Sequence, residues 1–338
     1  MSETFRNVTA LNWQALVTET QRRRRAEKMT QRQHAALAGV SIPTIVSFDR
    51  GERTLSLAKA FDILRVVGLV DEPASDSAHG VFVQQAIARW QSLIEKLPEN
   101  SPGRFPNGWY RIDYALEGDL KAIEIHELRS ILAKAELKLT GWPMFMVMGK
   151  QDFAPHEVDS VLECWVEPAD GGRVTRGLAD EPAHCDFWRA DPEGRMLLMR
   201  GYQEDGQETF AAGKIFDTTL PIWRLGEALL HAERLAKLLK RDNAAEITVR
   251  MRAVYTGLSG RVLKAWANPL SDILIEGGAA RSDEAVLEAV VPAAGISDHL
   301  TAHIFPLVSS LYERFGVTGL SEIRVQAEVD RLQKGRSS

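Results

Sequence analysis

The stretch TQRQHAALAGVSIPTIVSFDRGER, Thr30 to Arg53, reads as a helix, a tight turn and a second helix. Thr30 is placed to cap a first helix running from Gln31 to about Ala38. Gly39 supplies the left-handed corner that ends it, because only a residue without a Cβ enters that conformation cheaply. Ser41 caps the next helix. Ile42 and Pro43 fall in its first turn, where a missing amide proton costs nothing, and Gly51 stops it near Arg50. Ala35, Val40, Ile45 and Phe48 then stand where two short crossed helices pack on each other. Helices crossed at such a turn are the device that places one helix in the major groove of DNA.

Met29-Thr30-Gln31, Gly39-Val40-Ser41, Thr44-Ile45 and Asp49-Arg50-Gly51 resemble the XRE-type, phage-repressor-like helix-turn-helix family, and Leu57, Phe61, Ile63 and Leu64 fit its closing helix. The resemblance covers about residues 11–70. It implies a five-helix DNA-binding domain that usually works as a dimer on a two-fold symmetric operator. The sequence departs from the pattern at His34 and Ala38, where the family carries larger aliphatic residues, which bears on the packing of the first helix.

On the second helix the outward face is Ile42, Pro43, Thr44, Val46 and Ser47. It lacks the Arg, Asn or Gln that grip guanine or adenine with two hydrogen bonds. Ile42 or Pro43 is expected against thymine methyls, with Thr44 or Ser47 giving single hydrogen bonds and Ser41 at the helix start. Gln31 and Gln33 are candidates for phosphate or adenine, and Arg50 and Arg53 for backbone phosphates. Specificity is therefore expected to lean on DNA shape and dimer spacing. The preceding helix, residues 11–28 with Trp13, Leu16 and Val17 inward, carries Arg22-Arg23-Arg24-Arg25. Such a run fits either a solvated face or phosphate contacts, with Arg22 and Arg25 the candidates.

The chain has 338 residues, 45% hydrophobic and 26% charged, enough for two domains. Its net charge of −5 argues against a protein coated in nucleic acid. The distribution is uneven, however: residues 1–72 hold 11 Lys/Arg against 8 Asp/Glu, and the remainder 30 against 38. A mildly basic head on an acidic body suits a binding surface confined to one end. With only Cys164 and Cys185 there is no disulfide framework, and no apolar run reaches membrane-spanning length. The opening Met-Ser-Glu-Thr-Phe-Arg-Asn lacks the layout of a secretory signal, so a cytoplasmic home is expected.

Asp71 to Gly80 is small, polar and proline-bearing, and reads as a linker. Helices are expected over Val81–Leu97, Gly118–Leu139, Ile222–Leu239, Ile296–Arg314 and Leu320–Gln333. Strands are expected over Pro143–Met148, Ser160–Val166, Cys185–Ala190, Arg195–Gly201, Phe210–Phe216, Glu246–Tyr255, Gly260–Ala265 and Val286–Val291. Asp191-Pro192-Glu193-Gly194 reads as the turn of a hairpin spanning Asp186–Tyr202. The expected fold is thus α+β: an all-α head over 1–72, a linker over 73–80, and a larger α+β body over 81–338 with a mostly antiparallel sheet.

Three body segments, Thr140-Gly141-Trp142-Pro143, Asp186-Phe187-Trp188-Arg189-Ala190 and Leu220-Pro221-Ile222-Trp223-Arg224, resemble uncharacterised regions attached to bacterial DNA-binding heads. No activity attaches to that likeness. Of eight tryptophans, seven lie in the body, among them Trp109, Trp142, Trp165, Trp188, Trp223 and Trp266. Aromatic residues such as Trp188 can wall a small-molecule pocket, with Arg189, Arg200 or Arg224 holding an anion, or can simply fill the core. A Cys185 nucleophile served by His184 is disfavoured, because strand neighbours point to opposite faces. A zinc site from Cys164, His184 and Cys185 lacks paired ligand spacing and a fourth ligand. Ala169-Asp170-Gly171-Gly172 and Glu276-Gly277-Gly278-Ala279 lack the Lys-Ser/Thr of a phosphate loop.

The sequence therefore leads one to expect a transcriptional regulator, a repressor acting as a homodimer, rather than an enzyme. Its partners would be double-stranded DNA, a second copy of itself and a small-molecule or protein effector, with no cofactor, metal or membrane. The alternative is an antitoxin-like or phage-defence protein whose body grips a partner while its head autoregulates the operon. An enzyme with a DNA-targeting head would need converging titratable groups.

Overall fold

The computed structural model describes residues 12–335 except 27, 53–54, 68, 70–76, 150–152, 169–180, 207–209 and 269–276, and omits the side chains of residues 57, 58 and 65. The expected linker therefore lies largely outside the described residues, as do Arg53 and the Ala169–Gly172 turn. The chain divides into two units, Met1–Val81 and Phe82–Ser338. No described helix is long and apolar enough to cross a membrane.

Among the described residues the first unit holds four helices ahead of the opening turn of a fifth: α1 (Trp13–Ala26), α2 (Gln31–Leu37), α3 (Ile42–Asp49) and α4 (Leu57–Val66), then α5 (Ala78–Ile94). Thr30 caps α2 through a reciprocal box with Gln33, each side chain accepting the other's backbone amide. Gly39 takes the left-handed corner at φ +62°, and Ser41 caps α3 with Pro43 in its first turn. Ile45, Phe48, Ile63 and Leu64 are fully buried, each contributing about 1.5–3 kcal/mol by removal from water. The Trp13 ring meets Phe48 edge-on at 5.2 Å. His34 is also fully buried: its Nε2 donates to the Ile63 carbonyl at 2.9 Å and ties α2 to α4. Thus the departure from the aliphatic pattern at this position is met by a hydrogen bond.

The second unit is α+β. Its strands are β1 (Trp109–Gly118), β2 (His156–Val158), β3 (Val161–Trp165), β4 (Phe187–Ala190), β5 (Arg195–Gly201), β6 (Ile215–Asp217), β7 (Ile247–Tyr255), β8 (Val262–Lys264) and β9 (Ala285–Pro292). After α5 its helices are α6 (Ile125–Ala135), α7 (Leu220–Leu239), α8 (Leu300–Glu313) and α9 (Glu322–Lys334). Seven strands form one sheet in the order β2-β3-β4-β5-β1-β7-β9, every pairing antiparallel, while β6 and β8 form a small parallel pair.

Alternation along β1 sends Tyr110, Ile112 and Tyr114 to the face covered by α7, where the Tyr114 hydroxyl and His231 Nδ1 share a hydrogen bond at 2.7 Å. The opposite face meets α5. There Trp90 packs against Trp109, and Arg89 forks onto Glu163 at 3.0–3.1 Å. Both faces are covered in the middle of the sheet, so β4 is buried at all four residues.

Three expectations are corrected. Trp109–Gly118, for which no strand was expected, is an interior strand, pairing β5 on one side and β7 on the other. Gly118–Leu139 is not one long helix: Glu124 opens α6 with a capping box, and the helix ends at Ala135. Pro143–Met148 forms no strand; Met144 and Phe145 plug the core, with Phe145 in left-handed backbone at φ 54°. Helix α7 also buries far more than a single stripe, because α6, α8 and α9 occupy the sides the sheet leaves open. Gly226 permits the α9 approach: a Cβ there would lie 2.6 Å from Leu332 Cδ2.

Candidate functional site

In the first unit the turn between α2 and α3 leaves the start of α3 outward. Ile45 and Phe48 point in at 0% exposure, while Ile42 is 45% exposed, Pro43 is exposed and Thr44, Val46 and Ser47 are half-buried. The Ser41 hydroxyl accepts the Thr44 amide at 3.3 Å and bonds the Thr44 hydroxyl at 2.8 Å, so each is partly occupied in holding the helix start.

The polar candidates differ in availability. Gln33 is spent on the Thr30 cap, and Gln31 Nε2 donates to Asp49 Oδ2 at 2.6 Å. Arg50 is exposed, at 71% of its side chain, and pairs only loosely with Glu52 at 3.8 Å. The arginine run divides by helix angle. Arg22 and Arg23 fork onto Glu19, whose carboxyl they hold down at about 2, through hydrogen bonds first and charge second. Arg24 turns inward and grips Asp49 with both terminal nitrogens, at 3.0 and 2.6 Å. Arg25 is exposed. Together Arg25, Arg50 and the α3 start present cations and a flat, largely uncharged tip on the surface of this unit.

The second unit carries a cleft of about 450 Å³ walled by Trp142, Trp223 and Trp266 together with Thr140, His184, Gln203 and Arg224. Thr140, Gly141 and Trp142 and, from the start of α7, Leu220, Trp223 and Arg224 all line this cleft, and Asp186 is hydrogen-bonded to Trp142. Asp186 accepts the Trp142 indole N–H at 3.2 Å and both Nε and Nη2 of Arg200 at 2.6 and 2.5 Å. Arg200 then donates to the carbonyls of Trp142 and Pro143. Arg224 Nη1 donates to the Trp142 carbonyl at 2.8 Å, to Thr140 Oγ1 at 3.0 Å and to Glu227 at 2.8 Å. The Trp142 ring stands edge-on to His184 at 4.6 Å, and burial lowers the His184 pKa despite the nearby Glu181 and Asp186 carboxylates.

Of the four residues offered for an anion pocket, only Arg224 reaches this cleft. Trp188 is core: it is 1% exposed and its indole N–H donates to the Met146 carbonyl at 3.1 Å. Arg189 lies on the opposite sheet face, 3.4 Å from Glu163. Arg200 is sealed beneath the cleft by Asp186. Cys185 is fully buried and bonds the Glu181 carbonyl at 3.4 Å, while His184 faces the cleft. Among the described residues, no three His, Cys, Asp or Glu side chains converge as metal ligands.

The residue that organises the cleft, Asp217, carries no sequence signal. Its Oδ1 accepts the amides of Thr219 and Leu220 at the start of α7, at 2.7 and 2.8 Å. Its Oδ2 accepts those of Trp266 and Ala267, also at 2.7 and 2.8 Å. One buried carboxylate thus fixes the Trp266 loop beside the α7 N-terminus. The parallel pairing of β6 with β8, which sets Asp217 opposite Lys264, brings residues 217 and 266 together, and local spacing does not reveal it.

Comparison of the chain with protein-family models, with curated proteins and with solved structures finds no match.

Proposed function

We propose that the chain is a DNA-binding transcriptional regulator of the cytoplasm, a repressor working as two copies, that enters the major groove with α3. The observation that carries this reading is the division of α3 itself. Ile45 and Phe48 lock it to the unit's core, while its first turn, Ile42 to Thr44, stands out beyond a left-handed glycine corner. Arg25 and Arg50 supply exposed cations for phosphates. The resemblance to XRE-type heads adds a two-fold operator and a five-helix head, of which α1–α4 and the opening turn of α5 would be the helices. The body would hold the two copies together and respond to a signal by favouring one arrangement of the heads.

The test is fluorescence anisotropy of the full chain on duplex DNA from its own upstream region and on scrambled duplex, across a salt series. Preference for the upstream duplex is expected. Arg25→Ala should weaken binding on both duplexes and reduce the salt slope by about one. Ile42→Gln should change the sequence preference instead, because it alters the groove-facing tip. Equal, weak binding to both duplexes would overturn the reading and favour partner capture.

A further inference from the structure

The cleft in the second unit has the chemistry of a receptor for one kind of molecule. Its volume, about 450 Å³, falls within the range of about 300–1,000 Å³ usual for small-ligand sites. Three tryptophans wall it, two of them half-buried and Trp223 at 8% exposure, so flat apolar surface faces the opening. Tryptophan at that density favours a planar, aromatic guest.

The polar groups choose its charge. All three hydrogen bonds of Arg224 leave from Nη1; among the described residues Nε and Nη2 donate none. That is the edge with which a guanidinium takes both oxygens of a carboxylate. Glu227 and the Trp142 carbonyl hold the other side of the group, so the free edge is fixed in orientation before any ligand arrives. Thr140 is spent on Glu227 at 2.6 Å and does not compete for the guest.

Beneath the cleft, and sharing Gln203, Leu220 and Arg224 with it, lies a void of about 20 Å³. This is room for about one water-sized group. Its wall includes Tyr255, 2% exposed, whose hydroxyl has no hydrogen-bond partner among the described residues. A buried hydroxyl left unmatched costs about 1–3 kcal/mol, so the wall is a ready donor for a polar group reaching past Arg224.

We infer that this cleft binds a small aromatic carboxylate, with the carboxylate on the Nε–Nη2 edge of Arg224 and the ring against Trp142, Trp223 and Trp266. Asp217 is the positioning residue, since it sets Trp266 opposite the start of α7. The inference deepens the signal-sensing role proposed for the body. It is read by binding without DNA, so it can fail while DNA recognition stands, and the reverse.

The experiment is isothermal titration of the full chain with 2-naphthoate and with its neutral isostere 2-naphthamide, with tryptophan fluorescence recorded in parallel. One-to-one binding of naphthoate with quenching is expected, at least about tenfold tighter than the amide, because one bidentate charge-assisted contact separates them. The paired variant Arg224→Gln with Glu227→Gln removes the anion edge without stranding a buried charge. It should lose that preference. Trp266→Leu, on the half-exposed rim, should weaken both probes with the preference kept. Absence of saturable naphthoate binding to the parent protein overturns the inference, as does unchanged preference in the paired variant. If the paired variant melts early, Trp266→Leu decides: unaltered affinity for both probes places them elsewhere.

Discussion

Arg24 of α1 holds Asp49, the last residue of α3, through two hydrogen bonds at 3.0 and 2.6 Å, with both side chains about one-tenth exposed. Asp49 also accepts Gln31 Nε2, so three helices meet on one carboxylate. Removing one member of a buried, hydrogen-bonded pair leaves the other charge stranded, at a cost of about 3–5 kcal/mol. Arg24→Met is therefore expected to speed amide hydrogen exchange throughout α1–α4 while leaving the second unit protected. If exchange in Ile45 and Phe48 is unaltered, the pair is not what fastens α3.

His34 makes the same unit sensitive to acid. Its Nε2 donates to the Ile63 carbonyl and its Nδ1 lies 3.5 Å from Arg24, a setting for a neutral ring, and burial lowers its pKa below the usual 6.5. The unfolded chain binds a proton near pH 6.5 that the folded ring refuses. Stability from this residue is thus present above that pH and lost as the pH falls below it. His34→Gln, whose amide can still donate to Ile63, should flatten the loss. Urea unfolding of α1–α4, followed by exchange at pH 5.5 and 7.5, measures the difference. An equal acid loss in parent and variant would assign it to other groups.

The parts that could be read from the sequence were those with local causes. Thr30, Gly39, Ser41 and Gly51 act within one turn of their own helices, so their spacing is enough to place α2 and α3. The hairpin at Asp191–Gly194 is local too, with Asp191 accepting amides from Glu193 and Arg195. By contrast β1 was hidden because burial on both faces replaces alternation, and its outer face carries Arg111 and Asp113, paired at 2.7 Å. The cleft was hidden for a further reason. Thr140, His184, Gln203, Arg224 and Trp266 come from five separate segments, and of these only Arg224 was expected to hold a ligand. Trp188 and Arg200 have the same composition cues yet are core and buried ion pair. Composition names candidates, and topology decides which of them reach solvent.

Asp217 should show how strongly one carboxylate can hold a cleft together. In Asp217→Asn the amide nitrogen replaces one oxygen and faces two backbone N–H donors. Two bonds are lost and two buried donors are left without an acceptor, for a total of about 2–4 kcal/mol. The expected result is a lower urea midpoint for the second unit and a red-shifted tryptophan emission as Trp266 gains water. An unchanged midpoint would mean that the Trp266 loop is held by other contacts.

Glu204 and His231 give the body a pH response whose two halves oppose each other. Glu204 is 3% exposed, its Oε1 accepts the Asp217 amide at 2.7 Å, and burial, reinforced by the Asp217 charge, pushes its pKa up to about 7. Between its ordinary 4.5 and about 7 the folded state keeps a proton that the unfolded chain has released, so stability falls as the pH rises through that window. His231 is the reverse: burial, with Arg234 adding to it, lowers its pKa to about 3. From about 3 to 6.5 the unfolded chain holds the extra proton, and stability rises with pH. Over the shared window, 4.5 to 6.5, the slopes nearly cancel in the parent protein and separate only when one group is removed. Glu204→Gln should make the unfolding free energy climb with pH there, and His231→Gln should make it fall, each by about 2–3 kcal/mol across the window at 1.36 kcal/mol per pKa unit. Differences from the parent cancel the other titrating groups, Asp217 among them. Urea denaturation of the second unit at half-unit pH steps gives the three curves. Parallel curves would show that neither proton is withheld or retained by folding.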